Sequence, residues 1–233
     1  MKNYILTILA SVSFTFLSTI GYSQFQILRT LPDFKSVEVS GSTDVYISQG
    51  KGNTYLVQAP SDQMQHLEVV VIDGVLKISY SPKRMFKFSG ESVKVYVTIK
   101  DVEAIKASGA SNVYSENILD LKSLYLESSG ASDIKVELMV HDLTLKSTGG
   151  SDIKIKGNAV HMRATASGGS DIDARNLIAK RAELKASGGA DIVAHVTEEL
   201  SVTASGGSDV LYYGNPNVIE QKKSGGADII RKN

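Results

Sequence analysis

A six-residue turn motif recurs about every 19 residues through the C-terminal half of the chain, and it limits the fold more than any other feature. SGASNV begins at Ser108 and SGASDI at Ser129. TGGSDI follows at Thr148, SGGSDI at Ser167, SGGADI at Ser187, SGGSDV at Ser205 and SGGADI at Ser224. An earlier copy, SGSTDV, begins at Ser40. The apolar residue that closes each copy is Val113, Ile134, Ile153, Ile172, Ile192, Val210 and Ile229, advancing in steps of 21, 19, 19, 20, 18 and 19.

Both flanks of each turn alternate with period two. Leu124, Leu126 and Ser128 precede one turn, and Leu143, Leu145 and Ser147 precede the next. Later copies carry Met162, Ala164, Ala166; Ala182, Leu184, Ala186; and Leu200, Val202, Ala204. After the turns come Ile134 and Val136, Ile153 and Ile155, Ile172 and Ala174, Ile192 and Ala194. Such alternation marks strands with one buried face, and no 3.6-residue period competes with it. One coil cannot bury its inner face alone, so the repeats predict a stack of coils, each strand bonded to its equivalents above and below. At about 4.8 Å per coil, the seven copies from residue 108 onward span roughly 30 Å. The fold class expected is all-β, a two-sheet parallel solenoid.

The corners are built from Gly130 and Asp133; Gly149, Gly150 and Asp152; Gly168, Gly169 and Asp171; Gly188, Gly189 and Asp191; Gly206, Gly207 and Asp209; and Gly225, Gly226 and Asp228. Paired glycines permit positive φ at a tight corner, which a Cβ opposes. The inward position beside them is small (Ala107, Ser128, Ser147, Ala166, Ala186, Ala204), as a narrow edge between two sheets requires.

The ends depart from the pattern. At the C-terminus Gln221, Lys223 and Arg231 occupy slots that are small or apolar elsewhere, so Gln221 to Asn233 reads as a polar cap, with a frayed tail as the alternative. At the N-terminus Lys2, the apolar run Tyr4 to Ile20, and the small residues Gly21 and Ser23 read as a signal peptide cleaved before Gln24. A membrane anchor is the alternative for that run. No second long apolar run follows, so no membrane insertion of the mature chain is expected. The division expected is 1–23 signal peptide, 24–104 an irregular β region with a first coil, and 105–233 the regular solenoid with its cap. Asp73-Gly74 marks a hairpin turn in the irregular region, and the basic stretch Ser81 to Glu91 reads as a loop. This region either caps the solenoid or forms a small subdomain of its own. Lys+Arg and Asp+Glu both number 25, which argues against nucleic acid as a partner. There is no Cys, so stability rests on burial and backbone pairing.

Phe34 to Gly50, FKSVEVSGSTDVYISQG, followed by YLVQAP and LEVVVIDGVLKISY, resembles the start of the GIN-domain family. The SGGSDI and SGGADI turns are similar to that family's glycine-centred corners, and the resemblance covers nearly all of the chain after the leader. These are exported proteins of Bacteroidetes-type bacteria, described as auto-transporter adhesin heads. The resemblance implies a right-handed parallel β-helix, pectin-lyase-like in shape but without catalytic residues, and a role in adhesion. Export to the periplasm, cell surface or medium goes with it.

Little in the sequence points to chemistry. The corner aspartates, with Asp44 earlier and Asn112 in the same slot, read either as turn closers bonded to backbone N–H groups or as a calcium ladder. Asn112 favours the turn role, because it keeps the acceptor oxygen without the charge. His66, His141, His161 and His195 have no short metal-ligand spacing; His141 and His161, 20 apart, can stack on adjacent coils as solvent-facing residues. Neither a cofactor nor a resident metal is expected. No GxSxG elbow occurs, and Trp, the strongest sugar-stacking residue, is absent. The function expected is a non-enzymatic exported binding module whose partner is a surface protein or polysaccharide, with homo-oligomer formation at an exposed strand edge as a second route to assembly. A polysaccharide-active enzyme and a structural envelope subunit are the alternatives, since coils bring distant carboxylates together.

Overall fold

The computed structural model describes residues 24–60, 64–80 and 93–233. The expected signal peptide and the basic loop between Ser81 and Glu91 lie outside the described residues. The described residues form an all-β solenoid of 17 strands that join one hydrogen-bonded system.

The repeat accounts for the regular half directly. Strands β10 (Leu119–Gly130), β11 (Asp133–Gly149), β12 (Asp152–Gly168), β13 (Asp171–Gly188) and β14 (Asp191–Gly206) each run up to a glycine corner. They pair in parallel, with Ile134, Ile153, Ile172 and Ile192 in one register line and Gly149, Gly168, Gly188 and Gly206 in another. The near-constant spacing of the motif thus becomes a stack of like residues. Within β11 the residues Ile134, Val136, Leu138 and Val140 are buried, and so are Leu143, Leu145 and Ser147. The alternation breaks at His141 and Asp142, two successive exposed residues that mark a second bend opposite the glycine corner. Each fully buried Leu or Ile stabilises the stack by about 1.5–3 kcal/mol.

At the corner the positive φ belongs to the first glycine of each pair. Gly149, Gly168, Gly188, Gly206 and Gly225 have φ between 72° and 84°, while Gly150, Gly169, Gly189, Gly207 and Gly226 do not share this conformation. A Cβ on Gly168 would stand 3.1 Å from the carbonyl oxygen of Gly149 below it, whereas one on Gly169 would stand 3.7 Å from that atom. The demand for glycine is therefore concentrated on one of the two positions, both by backbone conformation and by the neighbouring coil.

The N-terminal strands extend the same ladders out of chain order. β2 (Ser36–Ser40) and β3 (Thr43–Gln49) form one coil around the Gly41 corner. β4 (Thr54–Pro60) follows, then the hairpin of β5 (Leu67–Ile72) and β6 (Val75–Tyr80), then β7 (Val93–Ile99). β6 and β7 pair in parallel with β2 and β3 on their outer side. The chain then crosses back, and β8 (Ala104–Ala107) and β9 (Asn112–Ser115) pair on the inner side of that same coil. β4 covers the outer edge of β7 antiparallel, β1 (Gln24–Thr30) covers β4, and β5 covers β6. Antiparallel strands with tight connections are a local way to close a parallel ladder. Asp73 and Gly74 both have positive φ, as the hairpin turn requires.

At the other end β15 (Asp209–Tyr213), β16 (Asn217–Gly225) and β17 (Asp228–Arg231) continue the two ladders. Every residue of β16 is exposed, including Val218 and Ile219. Lys223 and Arg231 stand in register with Ala204 and Tyr212, so polar side chains replace the core at this last rung.

Candidate functional site

With most of the apolar positions directed inward, what the solenoid offers a partner is chiefly its outward rows. Several of them bring together residues far apart in sequence.

The first row runs along the arm that precedes the corners. Lys77, Glu38, Lys106, Glu127 and Lys146 occupy equivalent positions on the neighbouring strands β6, β2, β8, β10 and β11, so the charge alternates in sign from rung to rung. Lys106 Nζ lies 3.1 Å from Glu38, and Lys146 Nζ lies 2.8 Å from Glu127. The Lys146 hydrogen bond holds the Glu127 carboxyl below the usual carboxylate range, against an opposing push from partial burial. Glu38, Lys77, Lys106 and Glu127 line a groove of about 590 Å³, with Glu68 of β5 on one wall. On the same arm Arg163 pairs with Glu183 at 2.9 Å.

The second row is the corner column. Asp133, Asp152, Asp171 and Asp191 lie one above another, and Asn112 precedes Asp133. Partial burial, and then Asp133 and Asp171 on either side, raise the Asp152 pKa. Asn112 donates to Asp44 at 2.8 Å. Asp171 Oδ1 accepts the backbone N–H of Asp191 at 3.3 Å, and Asp191 Oδ1 accepts that of Asp209 at 3.1 Å. These carboxylates act between coils. The hydroxyl that closes the turn within a coil belongs to the residue just before the aspartate. Ser132, Ser151, Ser170 and Ser208 are buried, and each donates to the carbonyl three residues back at 2.9–3.0 Å. Each also accepts the N–H of that same earlier residue, at 3.1–3.3 Å. The sequence signal for this was the Ser in the fourth place of the motif, which alternates only with Ala or Thr.

Beside the aspartates stands a short aromatic row. Tyr46 stacks on Tyr96 with ring centroids 5.0 Å apart and on Tyr114 at 5.2 Å, and Lys135 covers the Tyr114 ring at 5.8 Å. Because the rings lie face to face, they fasten adjacent strands to one another.

The third meeting point is the second bend, where His141, Asp142 and His161 converge. The 20-residue separation of the two histidines is one residue more than the 19-residue offset between these coils, so the repeat brings them close. Asp142 as their companion emerges from the register, which sets Asp142 opposite His161.

A parallel β-solenoid with glycine corners and charged outer rows defines a class of extended, repeat-built proteins. The family model described as "Putative auto-transporter adhesin, head GIN domain" matches residues 33–216, and the chain belongs to that family. Among solved structures, a "putative adhesin" from Bacteroides fragilis is 23% identical with a TM-score of 0.84, covering 91% of this chain and 98% of its own. A "putative adhesin" from Parabacteroides merdae is 18% identical with a TM-score of 0.72, covering 90% and 96%. A "putative lipid binding protein" from Parabacteroides distasonis is 16% identical with a TM-score of 0.70, covering 90% and 97%. At these identities the likeness is one of fold. A comparison with curated proteins found no match.

Proposed function

We propose that this chain is an exported, non-enzymatic binding module that attaches to a surface protein or polysaccharide through the outward rows of its solenoid. The observation that carries the reading is the row Lys77, Glu38, Lys106, Glu127 and Lys146, in which side chains of alternating charge repeat at the strand spacing along one face. Strands about 4.8 Å apart give such a row a length and periodicity that match an extended polymer or a broad protein face. The groove over it is lined by Glu38, Glu68, Lys77, Lys106 and Glu127 together with Val70 and the exposed Ile72, a mixed charged and apolar wall suited to a broad contact. Family membership supports the adhesion reading and, with it, export. Among the described residues no helix is long and apolar enough to cross a membrane.

The test is a binding screen of purified protein against glycan arrays and extracted envelope proteins, run beside the double variant Lys106→Glu, Lys146→Glu. Saturable binding that the variant weakens at least tenfold is the expected result. Reproducible cleavage of a polysaccharide, abolished by changing one carboxylate, would replace this reading with the enzyme alternative.

A further inference from the structure

The second bend carries a cluster that neither the core nor the charged rows use. His141 and Asp142 are consecutive there, and His161 stands opposite Asp142 on the next coil. His141 Nδ1 lies 2.9 Å from Asp142 Oδ2. The two imidazoles meet edge to face, with centroids 5.4 Å apart and planes inclined at 62°. One donor atom from each of the three residues lies within 4.8 Å of the others. We propose that His141, Asp142 and His161 form a surface site for a divalent transition cation of the zinc class, tying two adjacent coils together.

The donor set selects the cation. Two imidazole nitrogens and one carboxylate suit zinc, copper or nickel, whereas calcium and magnesium prefer oxygen donors throughout. Three protein ligands leave one position of a tetrahedral ion open to water or to a donor on a bound partner. Bonds of about 2.1 Å keep any two donors of one ion within about 4.2 Å of each other. The cluster is close to that limit before any ion binds, and the exposed His141 and Asp142 with the half-buried His161 can close the remainder by small rotations.

Two cations stand nearby and limit the affinity. Lys122 acts on Asp142 from the preceding coil, and Arg181 is in register with His161 on the following one. Arg181 is itself engaged by Glu199 at 3.3 Å and Glu198 at 3.6 Å. Lys122 is therefore the charge whose removal should strengthen the site.

Calorimetric titration of the purified protein with zinc chloride tests the proposal, with calcium chloride in parallel. One zinc ion per chain is expected to bind saturably and to raise the melting temperature, while calcium does neither. His141→Gln and His161→Gln should each weaken zinc binding by about tenfold or more, and Lys122→Gln should tighten it. Zinc-induced shifts of the His141 and His161 imidazole resonances in the unaltered protein give an independent reading. Absence of saturable zinc uptake, or uptake that leaves those resonances and both histidine variants unaffected, would overturn the site.

Discussion

The hydroxyl of Ser170 donates to the carbonyl of Ser167 at 3.0 Å and accepts the N–H of that same residue at 3.2 Å. A single buried side chain thus satisfies both backbone groups of the residue that enters the corner. It also reaches the carbonyl of Ser147 in the coil below at 2.8 Å. Ser170→Ala should lower stability by about 1 kcal/mol, the net worth of a typical buried hydrogen bond. The cost stays modest because Ala190 and Ala227 already occupy this slot in other coils. Thermal denaturation checks it, and the reverse change Ala190→Ser should raise the melting temperature.

The two glycines of one corner should respond differently. Gly168→Ala forces a Cβ into positive φ and against the Gly149 carbonyl, and should cost about 1–3 kcal/mol. Gly169→Ala meets nothing closer than 3.7 Å and should stay within about 0.5 kcal/mol of the parent. Equal losses at both positions in denaturant unfolding would show that the pair, rather than its first member, makes the corner.

The corner column sets two effects against each other. Asp171 supplies an acceptor to the N–H of Asp191, so Asp171→Asn should be tolerated, while Asp171→Ala should cost about 0.5–2 kcal/mol by analogy with helix caps. At Asp152 a charge effect can be read, because its folded pKa is raised by partial burial and by its two acidic neighbours. A carboxyl whose pKa rises on folding opposes stability above its folded pKa, and that penalty fades as pH falls toward the unfolded value of about 3.9. Asp152→Asn should therefore raise the melting temperature at pH 7.5, with the gain disappearing below about pH 4. A gain that persists in acid would point to a cause other than charge.

Glu127 titrates in the opposite sense. The Lys146 hydrogen bond lowers its folded pKa, so the pair's stabilisation is present above the unfolded carboxylate value and is lost as pH falls through the folded one. Both side chains are partly solvated, which limits the effect to below about 1 kcal/mol. Glu127→Gln should be slightly less stable than the parent at pH 7.5 and indistinguishable from it in strong acid. Denaturant midpoints at the two pH values decide this, and a difference in acid equal to that at pH 7.5 would contradict the pairing.

Much of the solenoid was legible because its information is local and repeated. The spacing of Ile134, Ile153 and Ile172 sets the coil length, and strict alternation separates buried from outward side chains along each strand. Even the unequal glycines had a trace in the sequence: Ala110 and Ala131 fill the second slot, while the first remains glycine in every copy. The charged row was less visible, because Lys77, Glu38, Lys106, Glu127 and Lys146 come from strands whose order in the stack differs from their order in the chain.

That order is what only the tertiary structure decided. Each parallel strand presents nearly the same backbone edge and the same apolar inner face, so the pattern within one coil does not say which coil becomes its neighbour. The choice is made where the ladder must end. The hairpin of β5 and β6 and the antiparallel strands β4 and β1 cover the outer edges of the coil formed by β6 and β7. Placing that covered coil outermost leaves the inner side of β2 and β3 open to β8 and β9, from which the regular stack grows. The sequence by itself determined the coil, its corner and its core; the closing of exposed backbone hydrogen bonds at one end, a property of the whole sheet, determined how the coils are ordered.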